Sequence, residues 1–327
     1  MWIRIRYALR IVASYSDEVG SSRNGDAMVN RESPRPAAPA ALDDVEQESA
    51  MLRPAHGFSV RDYATSAVGS RRKEIEAEDF SSTPLSPETV ALLRALSDIE
   101  RATMQYLRGV LVTPTHKDAR VTAFLITWAY EKYWITDTID TVLKANGTPR
   151  VKVRATGLRR TLRGVSDRFT PIGQALIANV LGEDIIAWHM TIGTIDDLIS
   201  AAAYRAVRER AAHPGLDRLI DEILETKARH LEFFSAQAGD RLAASPRAQG
   251  ITRRRIRSAV WPTGSDVTGT RQTARFAALV FRSTATWSDP AVIGIDAAID
   301  ALPGQSGLHL AAKLAHRGRH GSTEENR

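Results

Sequence analysis

The sequence predicts an all-α protein: a four-helix bundle with one long crossover, and short C-terminal helices packed on it. Three observations carry the prediction. Four segments repeat apolar residues at helical spacing over roughly 25 to 40 residues each, beyond the ~10–14 of an average helix and of the length a four-helix bundle requires. Start and stop residues bound these segments, with Ser, Asp or Pro in front and Gly or Pro behind. No run alternates apolar with polar residues as a half-buried strand would.

Ahead of the bundle, residues 1–82 are rich in Ser, Asp, Glu, Arg and Pro, and their best apolar run, Arg35 to Leu42, cannot form a core. Disorder is expected there, and removing the segment should leave the melting temperature nearly unchanged. Met28 and Met51 lie within it as candidate starts downstream of Met1. The bundle domain spans 83–246. Ser86 is placed to cap the first helix, Pro87 suits its first position, and the pattern runs to about Leu111 before Pro114 blocks it. Asp118 opens the second helix, which ends near Ala145-Asn146-Gly147 with Pro149 beyond. The basic stretch Arg150 to Arg168 reads as the crossover. Pro171 starts a third helix that runs to about Ala212, and Pro214 a fourth that ends near Ala244. Weaker patterns at Arg253–Arg257, Thr273–Phe281 and Pro290–Leu302 make 247–316 a helical extension, and 317–327 a disordered tail.

With 327 residues, 43% apolar and 25% charged, the chain has the composition of a globular protein with a buried core. It contains no cysteine, which excludes disulfides, thiolate zinc sites and cysteine-held iron–sulfur clusters and leaves His and carboxylates as the only strong metal ligands. The net charge of +6 comes from 37 Arg and 7 Lys against 38 acids. No 18-residue apolar run occurs and arginines interrupt the first ten residues, so the chain is expected to be cytoplasmic and not transmembrane. The basic segments Arg150–Arg168 and Arg247–Arg257 suit an acidic protein partner or an anionic surface. They lack the interleaved aromatics of a single-strand nucleic-acid binder, and nucleic acid is not expected. A second copy of the chain, as a homodimer, is the other partner considered. Neither Gly-x-Ser-x-Gly nor His-Glu-x-x-His is present.

The helical stripes identify a candidate site. Residues spaced alternately three and four apart share a face, so a polar residue inside an apolar stripe is carried towards the core. Glu100 lies within Leu93-Leu96-Thr103-Leu107, and Glu131 within Phe124-Trp128-Ile135-Val142. Asp197 lies within Ile186-Met190-Gly193-Tyr204-Val207, while Lys227 and His230 lie within Leu216-Ile220-Ile223-Phe234. An unpaired buried charge costs several kcal/mol, so four such stripes predict one cluster of Glu100, Glu131, Asp197, Lys227 and His230 in the interior. His189, beside Trp188, reads as a core histidine.

Residues Ser86 to Ala244 resemble the ferritin-like superfamily of carboxylate-bridged dimetal bundles, in which two helices give a Glu and two give Glu-x-x-His. The pieces that carry this are Asp197 to Tyr204, Leu224 to Phe234, and Trp128-Ala-Tyr-Glu-Lys-Tyr-Trp134. The departures are chemical ones. Trp134 stands where the second helix needs histidine, Lys227 where a bridging glutamate belongs, and Asp197 replaces Glu. A dimetal centre needs about four carboxylates and a His on each ion, so the resemblance implies no cofactor, or at most one Fe or Mn ion per chain at Glu131, Asp197 and His230. It implies a ferritin-like module whose metal site has become a buried Lys/carboxylate/His cluster. The alternative is an iron- or manganese-dependent oxidoreductase, of oxygenase or desaturase type, with an altered or mononuclear site. A metal-free enzyme using Lys227 as base or Schiff-base amine is a third reading.

Overall fold

Residues 57–150, 182–259, 261–262, 270–281 and 289–323 are described by a computed structural model, and all lie within one of the two units into which the chain divides, Val45–Arg327. Among them the regular structure is entirely helical. The helices are α1 (Val60–Thr65), α2 (Ala77–Ser82), α3 (Pro87–Leu111), α4 (Ala119–Ala145), α5 (Asp184–Ala211), α6 (Pro214–Ala244), α7 (Pro246–Ser258), α8 (Thr270–Val280), α9 (Pro290–Asp300) and α10 (Leu310–Thr323), with 3-10 turns at Arg72–Glu74 and Pro114–Lys117.

Local chemistry sets the ends of the long helices. Ser86 Oγ accepts from Thr89 N at the start of α3, and Asp118 does the same for Val121 N at the start of α4. α5 ends in a left-handed residue, Ala212, whose φ is 44°. His213 follows and caps α6 with Nδ1, leaving its Nε2 to donate to the Asp79 carbonyl. α3 packs on α4 and α5 on α6, and the two pairs meet through α3 with α5 and α4 with α6. Gly193 brings α5 and α6 together, because a Cβ there would lie 2.4 Å from the Phe234 ring. Residues 151–168, expected to form the crossover, and the expected helix start at Pro171 lie outside the described residues; Arg150 is ion-paired with Asp98.

Two expectations fail at the chain's ends. Residues 57–82, expected to be disordered, are a strap across the long helices. Tyr63, Arg71 and Phe80 are buried, and Phe80 stacks on His213 with ring centroids 4.4 Å apart. Arg71 Nε reaches Glu222 at 2.9 Å and Arg72 Nε reaches Asp137 at 2.7 Å. The segment has too little apolar surface for a core of its own, but single anchors inserted into another core need no density. The tail expected to be disordered from Arg317 is helical to Thr323 as part of α10, which packs on α8. Gly318 permits that contact, since a Cβ there would lie 2.6 Å from the Ala278 backbone nitrogen.

The strap yields the first prediction. Deleting the chain through Ser82 should lower the melting temperature sharply, and Phe80→Ala alone should cost ~3–5 kcal/mol in urea unfolding. An unchanged unfolding midpoint in both variants would mean that the strap does not pack on the long helices.

Candidate functional site: a charged layer in the core

The apolar interior falls into two clusters. One contains Leu96, Ile135, Ile199 and Ile223; the other contains Leu107, Phe124, Trp128, Met190 and Phe233. On α3, α4 and α6 the divide falls at charged residues: Glu100, then Glu131 with Lys132, then Lys227 with His230. Each of these five is at most 4% exposed, and Asp197 of α5 is 2% exposed. The interior is therefore crossed by a polar layer with no direct access to water.

The layer has two connected halves. In the first, Lys227 Nζ lies 2.8 Å from Asp197 Oδ1 and 2.9 Å from Glu100 Oε1, while Lys132 Nζ contacts Glu100 Oε2 and stands 3.9 Å from Asp197 Oδ1. Glu100 thus bridges two ammonium groups with its two oxygens, and the Tyr204 hydroxyl donates to it at 3.0 Å. In the second half Glu131 is the acceptor. Tyr63 OH donates to its Oε2 at 2.6 Å and His230 Nε2 at 2.7 Å, while Val68 N and Arg229 Nη2 each donate to Oε1 at 2.9 Å. His230 joins the halves. Its Nδ1 faces Asp197 Oδ2 at 3.9 Å, and neither atom has a hydrogen-bond partner among the described residues.

Burial alone would raise the Glu100 carboxyl, but Lys132 and Lys227 outweigh it and hold the group down at about 2. Glu131 is also below the ordinary carboxylate value: burial opposes this, and the His230 hydrogen bond overcomes it. Burial lowers Lys227 in isolation, yet Asp197 and Glu100 carry it above the usual lysine value. Lys132 is pulled below that value by burial, with Glu100 opposing and the neighbouring Lys227 ammonium reinforcing the drop. Burial likewise lowers His230 against the pull of Glu131, so near neutrality its imidazole is neutral and donates from Nε2. With His230 neutral, Glu100, Glu131 and Asp197 are balanced by Lys132, Lys227 and Arg229. The layer is neutral as built.

The five residues singled out in the sequence thus lie together, and Lys132, Tyr204, Arg229, Tyr63 and Val68 belong with them. Lys132 is seven residues beyond Leu125 and four beyond Trp128, both buried, a spacing that already put it on the inner face. Tyr63 and Val68 come from the strap, where no periodicity marks them. Trp134 needs correction as the deleted-ligand position. It is half-buried against Tyr130 and Tyr133, which are 40% and 58% exposed, while Lys132 and Ile135 take the inward positions. His189 is buried, with Nδ1 2.8 Å from Thr115 Oγ1, and burial followed by the nearby Arg255 lowers it to about 3.

The donor set does not fit a dimetal centre. Both Glu131 oxygens already accept from protein donors, both Glu100 oxygens and one Asp197 oxygen contact ammonium groups, and only Asp197 Oδ2 and His230 Nδ1 remain. No group of three or more His, Asp or Glu able to hold an ion occurs among the described residues. No family model matches the chain, and neither a curated protein nor a solved structure matches it.

Two predictions follow from the layer's charges. Lys227→Ala should cost ~3–5 kcal/mol because it strands Glu100 and Asp197, and Lys132→Ala should fall in the same range, whereas exposed Lys313→Ala should change little. Equal small effects in all three would place the lysines outside the core. The pH dependence has two limbs. His230 is harder to protonate folded than at its ordinary 6.5, so its contribution is complete above that pH and declines below it. Glu100, held at about 2, contributes fully above 4.5 and progressively less as the pH falls towards 2. Melting temperature against pH should therefore fall in two stages, and His230→Gln should remove the upper one.

Proposed function

We propose that the chain is a ferritin-like four-helix-bundle protein whose dimetal centre has been replaced by a lysine–carboxylate–histidine network, and that it acts as a structural or binding module rather than through metal redox chemistry. The arrangement of α3 to α6 as two packed pairs, with residues 146–183 available as a crossover between them, supports the bundle reading. Charge balance carries the functional one. Three carboxylates that would neutralise divalent ions already neutralise Lys132, Lys227 and Arg229, and an added dication would leave uncompensated charge in a dry core.

One observation favours the alternative, an iron- or manganese-dependent oxidoreductase with a mononuclear site: His230 Nδ1 and Asp197 Oδ2 face each other without partners. Two donors fall short of the coordination either metal takes.

The two readings separate on metal content after loading with ferrous iron. The wild-type chain should hold well under one equivalent, whereas the mononuclear alternative requires about one. Lys132→Gln with Lys227→Glu takes the layer from neutral to −3 and should raise uptake, while either change alone leaves an ammonium between Glu100 and Asp197 and should not suffice. One equivalent or more in the wild type would overturn the proposal.

A further inference from the structure

Charge is segregated along this chain. Residues 246–323 hold eleven basic side chains against four aspartates, a net +7, while residues 1–245 hold 32 basic against 32 acidic and balance to zero. Three of the four aspartates are described, and each is bound to backbone amides. Asp289 accepts from Ala291 N and Val292 N at the start of α9, Asp296 from Ala311 N and Ala312 N at the start of α10, and Asp300 from Gly307 N. The fourth, Asp266, lies outside the described residues.

Five of the cations face solvent. Arg254 and Arg257 on α7, Arg275 on α8, and Lys313 and Arg317 on α10 are exposed, and none forms an ion pair with an acid among the described residues. Arg254 and Arg257, three apart, share one helix face. Two anchors join the helices that carry them. Arg253 of α7 donates to the Gly304 and Ser306 carbonyls at 3.1 and 2.8 Å, and Gln305 Nε2 donates to the Gln249 carbonyl at 3.3 Å, which fixes α7 to the loop between α9 and α10. The outer face of α9 carries one large apolar side chain, Ile293, with the exposed Asp300 two turns further along. Pro290, Ile293 and Ala297 are exposed at helical spacing, Ile293 by 53%.

We propose that this C-terminal layer is a peripheral docking surface for anionic phospholipid membranes, with Arg254, Arg257, Arg275, Lys313 and Arg317 meeting lipid phosphates and Ile293 of α9 entering the interface. Charge complementarity selects an anionic partner, since the cations among the described residues outnumber the three described aspartates, each of which is already bound to backbone amides. The exposed Ile293 side chain favours a lipid surface over a nucleic acid, whose bases would need aromatic platforms that these exposed positions lack. Among the described residues no helix is long and apolar enough to cross a membrane, so the contact is with the surface.

The test is co-sedimentation of the full chain with vesicles of phosphatidylcholine alone or mixed with phosphatidylglycerol, at low and high salt. Binding should require phosphatidylglycerol and weaken as salt screens it. Each basic residue near such a surface is worth about 1 kcal/mol, or about fivefold, so Arg254→Glu with Arg257→Glu should reduce partitioning by at least ~25-fold. Arg108→Glu with Arg205→Glu removes the same charge from exposed positions on α3 and α5 and should leave binding nearly unchanged. Ile293→Ser should abolish the binding that survives high salt. Equal losses in both double variants, indifference to phosphatidylglycerol, or binding to single-stranded RNA or to an acidic protein without binding to vesicles would each overturn the proposal.

Discussion

A dry core must be electrically neutral, and in this protein that requirement falls on one layer. Glu100 cannot be buried without Lys132 and Lys227, and these cannot be buried without Asp197. Glu131 in turn needs His230, Arg229 and Tyr63. Because desolvating each ion costs several kcal/mol, the layer survives only with every partner in place. It therefore fixes the register of α3, α4, α5 and α6 more tightly than the apolar clusters on either side, whose members could slide past one another at smaller cost.

The strap gains its place from the same requirement. Glu131 accepts four hydrogen bonds, two of them from residues 63 and 68, so the second half of the layer is incomplete without the segment that precedes the long helices. Arg71 and Phe80 then pin the strap to α6 and to the α5–α6 corner, through Glu222 and His213. A segment that contributes little apolar area is held by a few directional contacts, each worth more in a low-dielectric interior than at the surface.

Charge is managed differently in the C-terminal layer. There Asp289 and Asp296 bind the amides of helix starts, and Arg254, Arg257, Arg275, Lys313 and Arg317 are exposed, where hydration rather than ion pairing satisfies them. The same molecule thus pairs its charges one by one in the core and concentrates one sign on a surface. The first arrangement serves the fold.

The sequence alone determined the all-helical class and the span of three of the four long helices, because 3.6-residue periodicity and local caps such as Ser86 and Asp118 act within a few residues of chain. It also brought out Glu100, Glu131, Asp197, Lys227 and His230, since a charge inside an apolar stripe is visible without knowing what lies opposite. Tertiary structure decided the rest. Lys132 was legible only as a position on a face, and its partnership with Glu100 depends on how α3 and α4 are rotated against each other. Trp134 was read three residues from Glu131 as an inward position, but the helix turns it towards Tyr130 and Tyr133 at the boundary. Tyr63, Arg71, Phe80 and the helix running through Arg317 left no periodic signal, because isolated anchors and short helices draw their stability from surfaces distant in the chain, and local sequence carries no record of those surfaces.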